Sequence, residues 1–138
     1  VDNPVYNLVL TVLATARLTR FITTDTLGHW LIVKRLRVWA LPGHAIHGWT
    51  TGDGKPARAE VIVDHVWDGI DPEVEGRRVK LVSGLDCPFC VGFWIGAGVL
   101  LSLAIARAVP PLLPVWRFVM GALSLNYVVG HVSSRIDG

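Results

Sequence analysis

The sequence predicts an all-α membrane protein: about three transmembrane helices, with one or two amphipathic helices in the loop between the first two. Three observations predict it. From Val91 to Ala106 no residue is charged, and Ser102 carries the only hydroxyl. The 138-residue chain is 51% hydrophobic and 17% charged, with a mean hydropathy of +0.47, which is apolar for a water-soluble domain. Its basic residues are uneven: ten of the thirteen Lys and Arg fall between Arg17 and Lys80. The length allows one domain, taken as a single membrane domain over residues 1–138.

The first span is expected over residues 4–22. Asn3 is a suitable N-cap, and Pro4 fits the first helical position. Arg17 and Arg20 lie near the far end, where long basic side chains reach the interface. Ala14-Thr15-Ala16 has the small-x-small form of a cleavage site. The preceding Val1-Asp2-Asn3 is not basic, so this segment is expected to be retained rather than removed as a leader.

Thr23-Thr24-Asp25-Thr26 reads as a stop followed by a new cap. Leu27–Leu41 mixes Trp30 and Trp39 with Lys34, Arg35 and Arg37. That mixture suits a helix lying among lipid headgroups, or one packed on protein. Pro42–Pro56 is a glycine- and proline-broken loop carrying His44 and His47. In Ala57–Gly69, Ala59, Ile62, Val63, Val66, Trp67 and Ile70 repeat at helical spacing. Arg58, Glu60, Asp64, His65 and Asp68 fall elsewhere on that wheel. Asp64, Asp68, Asp71, Glu73 and Glu75 read as a solvated face and connector.

Asp86 is placed as the N-cap of the second span, residues 88–108. Pro110, Pro111 and Pro114 mark a tight turn, and the third span follows over 111–132. Arg117 sits six residues into that span, beside Trp116, which fits an aromatic belt. The positive-inside rule puts residues 23–84 and the C-terminus in the cytoplasm and the N-terminus outside, in a multi-pass inner-membrane protein. A soluble helical bundle is the competing architecture, disfavoured because the last two segments are apolar on all faces.

Cys87-Pro88-Phe89-Cys90 is the chemical signal. A thiol at the first turn of a helix is acidified by the helix N-terminus, with Arg77, Arg78 and Lys80 adding positive potential. On that reading Cys87 is the exposed attacking thiol and Cys90 the resolving one. A membrane oxidoreductase normally needs a second cysteine pair, and the chain has only two cysteines. A zinc site is a second reading, with His44, His47, His65 or a second chain completing a tetrahedral set. Simple packing of small side chains is the third, and the preferred one.

Gly92 and Gly96, with Gly98 close by, form a small-residue stripe that lets another helix approach. The partner is the first span, the third span or another subunit. Arg17, Arg20, Asp25 and Asp86 are expected as a polar anchor near one membrane surface. No phosphate-binding loop, hydrolase elbow or zinc-protease motif occurs among the scattered His29, His44, His47, His65 and His131. A net charge of +2 without a concentrated basic face argues against nucleic acid as a partner. A holin-like pore is disfavoured, because no spanning face carries repeated polar residues.

Ala16-Arg17-Leu18-Thr19-Arg20 with Thr24-Asp25-Thr26, and then Cys87-Pro88-Phe89-Cys90-Val91-Gly92-Phe93-Trp94, resembles the domain-of-unknown-function family numbered 1360, small bacterial and phage membrane proteins. The resemblance covers both ends of the chain, and residues from about 39 to 74 look like an insertion. It implies that Arg17, Arg20, Asp25, Cys87, Cys90 and Trp94 belong to one structural unit, and is consistent with a phage or prophage origin. It implies no activity. The expected function is a non-catalytic interaction or scaffold protein. Its partners are the bilayer and either another membrane protein or a second copy.

Overall fold

The computed structural model describes residues 3–136; Val1 and Asp2 of the leader argument lie outside them. All its regular elements are helical. Helix α1 is Pro4–Thr23, α6 is Pro88–Ala108 and α7 is Leu112–Ile136. Each is long and apolar enough to cross a bilayer, so the chain is membrane-embedded. The third span runs four residues past the expected end at residue 132.

Asn3 caps α1 as expected: its Oδ1 accepts from the backbone N–H of Val5 at 3.0 Å and of Tyr6 at 3.2 Å. The expectation that Asp86 caps α6 is corrected. Asp86 ends a 3-10 turn, Gly84–Asp86, and the extended Cys87 stands between it and Pro88. Its carboxylate is one residue too early to reach the first turn and bonds elsewhere.

Where the length predicts one domain, the described residues cluster as two compact units. The spanning unit holds residues 3–20 and 88–136, and the central unit holds residues 21–87. In the spanning unit Leu10, Val99, Leu103, Ala106 and Trp116 form the core. Trp116, only 7% exposed, is therefore no belt residue. Its Nε1 donates to Ser102 Oγ at 2.9 Å, so the indole is drawn inward by a buried acceptor.

The central unit opens with a continuous helical rod over residues 26–40. It comprises α2 (Thr26–Gly28), a π-helical turn (His29–Val33) and α3 (Lys34–Ala40). Helix α4 is Ala59–Trp67, and it buries Ile62, Val63 and Trp67 of the apolar stripe. Helix α5, Arg77–Ser83, is an addition to the expected elements: the sequence marks Arg77, Arg78 and Lys80 only as positive charge ahead of the thiols. It starts after Gly76, whose φ of 100° suits glycine. Val79 and Val82 bury one face of it against the cluster of Ala40, Val63 and Trp67.

Candidate functional site

Two polar constructions stand out, one in each unit. In the spanning unit, polar side chains lace the helices together where lipid offers no alternative partner. Arg117 Nε donates to Oδ1 of the buried Asn7 at 3.1 Å. Arg17 Nε donates to Asn126 Oδ1. Ser124 Oγ donates to Met120 O at 2.7 Å, with Leu10 O at 3.3 Å. The pairs 7–117 and 17–126 ascend together, so α1 and α7 run parallel.

Gly92 and Gly96 of α6 face Thr19 and Thr15 of α1 in descending order, so α6 is antiparallel to α1. A Cβ at Gly92 would lie 3.5 Å from Thr19 Oγ1, and one at Gly96 3.5 Å from Thr15 Cγ2. That is ordinary contact. The glycines mark the α1–α6 seam, yet the seam has room for a methyl group. Gly98 has nothing within 4 Å and takes no part in it.

The central unit holds the densest charge cluster, and sequence reasoning did not find its centre. Asp64, read as part of a solvated acidic face, is bound from three sides. Its Oδ1 lies 3.1 Å from His29 Nε2 and 3.5 Å from Arg37 NH1, and its Oδ2 lies 3.6 Å from Lys34 Nζ. Arg37 extends the cluster: NH2 donates to Asp86 Oδ1 at 2.7 Å, and the guanidinium sits 5.4 Å from the Trp67 ring centre. Trp67 Nε1 donates to Asp86 Oδ2 at 3.4 Å, which closes a ring of three side chains, Arg37, Asp86 and Trp67, with Asp64 attached to it through Arg37.

Burial by itself raises the Asp64 carboxyl. The hydrogen bond to His29 and the positive charges of His29, Lys34 and Arg37 outweigh it and hold the group below its ordinary 3.8. Asp64 is therefore an anion at neutral pH, neutralised by its neighbours. The helical wheel places it on the polar side of α4. Only the docking of residues 29–37 against α4 turns that side inward, and no local signal announces it.

Trp30, Trp39 and Arg35 point outward, Lys34 is half-buried against Asp64, and Arg37 is turned inward at 12% exposure. Trp39 is covered on one side by Arg78, 4.9 Å from its ring centre. Of the polar-anchor residues, Arg17 bonds Asn126 and Asp86 bonds Arg37 and Trp67. Arg17, Arg20, Cys90 and Trp94 belong to the spanning unit, and Asp25 and Cys87 to the central one.

Both cysteines are thiols, and their order of exposure is the reverse of the expected one: Cys90 is exposed and Cys87 half-buried. Among the described residues no group of three or more His, Cys, Asp and Glu is arranged to hold a metal ion. His44, one of the suggested extra ligands, lies 3.1 Å from Glu75 Oε1.

Compared with known proteins, the chain matches no family model, no curated protein and no solved structure.

Proposed function

We propose that this chain is a non-catalytic interaction or scaffold protein of the inner (cytoplasmic) membrane. Its N-terminus lies outside, and residues 23–84 and the C-terminus lie in the cytoplasm. One observation carries the reading: both carboxylates of the central unit's charge cluster are paired within it. Asp64 and Asp86 are consumed by Arg37, Lys34, His29 and Trp67, an arrangement that stiffens a surface. The excess of basic residues between Arg17 and Lys80 supports the orientation. The outward Phe89, Phe93 and Trp94 of α6 suit an interface anchor or contact with another membrane helix. The chain resembles family 1360 through residues 16–26 and 87–94, which is consistent with a phage or prophage origin. If the chain is phage-encoded, its role is modification of the host envelope, as in superinfection exclusion. Expressing cells then resist a subset of phages, and full sensitivity to every phage tested counts against that role.

The test of topology uses the full chain carrying Cys87→Ser, so that Cys90 is the only thiol. A membrane-impermeant maleimide is expected to label Cys90 in inverted vesicles and not in intact spheroplasts. The opposite pattern reverses the orientation, and release of the protein by alkaline carbonate removes it from the membrane.

A thiol oxidoreductase is the second reading, favoured by the exposure of Cys90 in the first turn of a long helix. Cys90→Ser and Cys87→Ser each abolish function in that case, and both are silent in a scaffold.

A further inference from the structure

One hollow of the central unit, about 340 Å³, is lined by Trp30, Lys34, Arg35 and Val38 from the 26–40 rod and by Glu60 from the first turn of α4. Trp30 is 59% exposed. Lys34 is partly engaged by Asp64 at 3.6 Å. Arg35 and Glu60 are opposite charges in one hollow, yet they form no ion pair with each other or with any other described residue. A cation and an anion held apart beside an open indole call for a ligand that also carries both signs, separated by a short spacer. A simple anion leaves Glu60 facing it, and a simple cation leaves Arg35 and Lys34 facing it.

We propose that this hollow binds the headgroup of a zwitterionic aminophospholipid, of the phosphoethanolamine class. The phosphate lies against Arg35 and Lys34 as charge-assisted hydrogen-bond acceptor. The ammonium donates to Glu60 and rests on the Trp30 face. The glycerol and upper acyl chain pack on Val38. Covalent length supports the location: Thr26 begins the rod three residues after Thr23 ends the first span, a reach of about 10 Å. The inference rests on the membrane-surface reading of residues 26–40 and adds to it a headgroup class and a residue for each charge.

The test reconstitutes the full chain into vesicles doped with phospholipids brominated on the acyl chain. Three headgroups are compared: phosphoethanolamine, phosphoglycerol and phosphocholine. The Trp30 signal is the difference between wild type and Trp30→Phe. Quenching is expected to be strongest with phosphoethanolamine. Glu60→Gln lowers the preference for phosphoethanolamine over phosphoglycerol by about two- to fivefold, the range for partly exposed ion pairs. Arg35→Gln weakens the response to both. Equal quenching by all three headgroups, unchanged by Glu60→Gln, overturns the headgroup assignment while leaving the helix on the membrane surface. A preference for phosphoglycerol overturns it in favour of a plain basic patch. No Trp30 quenching by any lipid overturns the surface placement as well.

Discussion

Arg37→Met is the most informative single change in the central unit. The substitution keeps much of the aliphatic stem and removes the guanidinium. Arg37 is 12% exposed and its carboxylate partners Asp64 and Asp86 are 38% and 48% exposed, so the interaction is neither fully buried nor a surface pair. The 2.7 Å bond to Asp86 contributes about 1.5–2 kcal/mol as a charge-assisted hydrogen bond. The 3.5 Å contact with Asp64 adds a few tenths. The stack on Trp67 contributes about 0.5–1 kcal/mol. One effect runs the other way: Arg37 Nε is buried without an acceptor, and its removal relieves about 1 kcal/mol. The net cost is about 2 kcal/mol, equivalent to roughly 30-fold in a local opening equilibrium. Hydrogen exchange on the full chain in detergent reads this directly. Amides of α4 are expected to exchange about 30-fold faster, and those of α6 and α7 serve as the internal control. Acceleration of less than about threefold would falsify the claim that this cluster holds the central unit together; the ion pairs would then be ordinary solvated ones.

Three further predictions follow from the same geometry. Because the folded-state Asp64 carboxyl lies below 3.8, the folded form binds that proton less readily than the unfolded chain. The stabilisation is complete above that value and disappears as pH falls through the lower folded-state value; α4 protection measured against pH should show this loss in wild type, and Asp64→Asn should flatten it. Gly28→Ala is expected to destabilise the turn after α1 severely, since the new Cβ would lie 1.8 Å from Phe21 O, a backbone atom with no easy retreat. Limited proteolysis near residues 21–28 checks this, with Gly43→Ala, which meets nothing within 4 Å, as the silent control. At the α1–α6 seam Gly92→Ala and Gly96→Ala should leave the detergent melting temperature nearly unchanged, whereas Gly92→Leu should lower it by separating Thr19 from α6; a large loss with alanine would refute the spacing at that seam.

Much of the architecture is legible without coordinates, because it depends on properties read along one helix. The spans follow from length and uninterrupted apolarity, the start of α1 from Asn3-Pro4, and the buried face of α4 from the spacing of Ile62, Val63 and Trp67. Helix α5 escaped notice because a short basic segment with two inward valines has no periodicity long enough to register. The cap assigned to Asp86 failed for a related reason. A local rule saw a carboxylate before a helix, while a tertiary partner, Arg37, claimed it and a 3-10 turn displaced it.

Composition and order along the chain are enough to place this protein in a membrane, to mark the three segments long and apolar enough to cross it, and to locate its thiols and basic residues. Hydrophobic burial and helix length decide those matters locally, residue by residue. Which charges meet is set by the packing of the helices. Asp64 became the centre of the polar cluster, Arg37 and Trp116 turned inward, Gly92 and Gly96 found Thr19 and Thr15, and Arg35 and Glu60 were left facing one hollow. Pairing between side chains dozens of residues apart depends on how helices dock. No periodicity within a single helix encodes that docking.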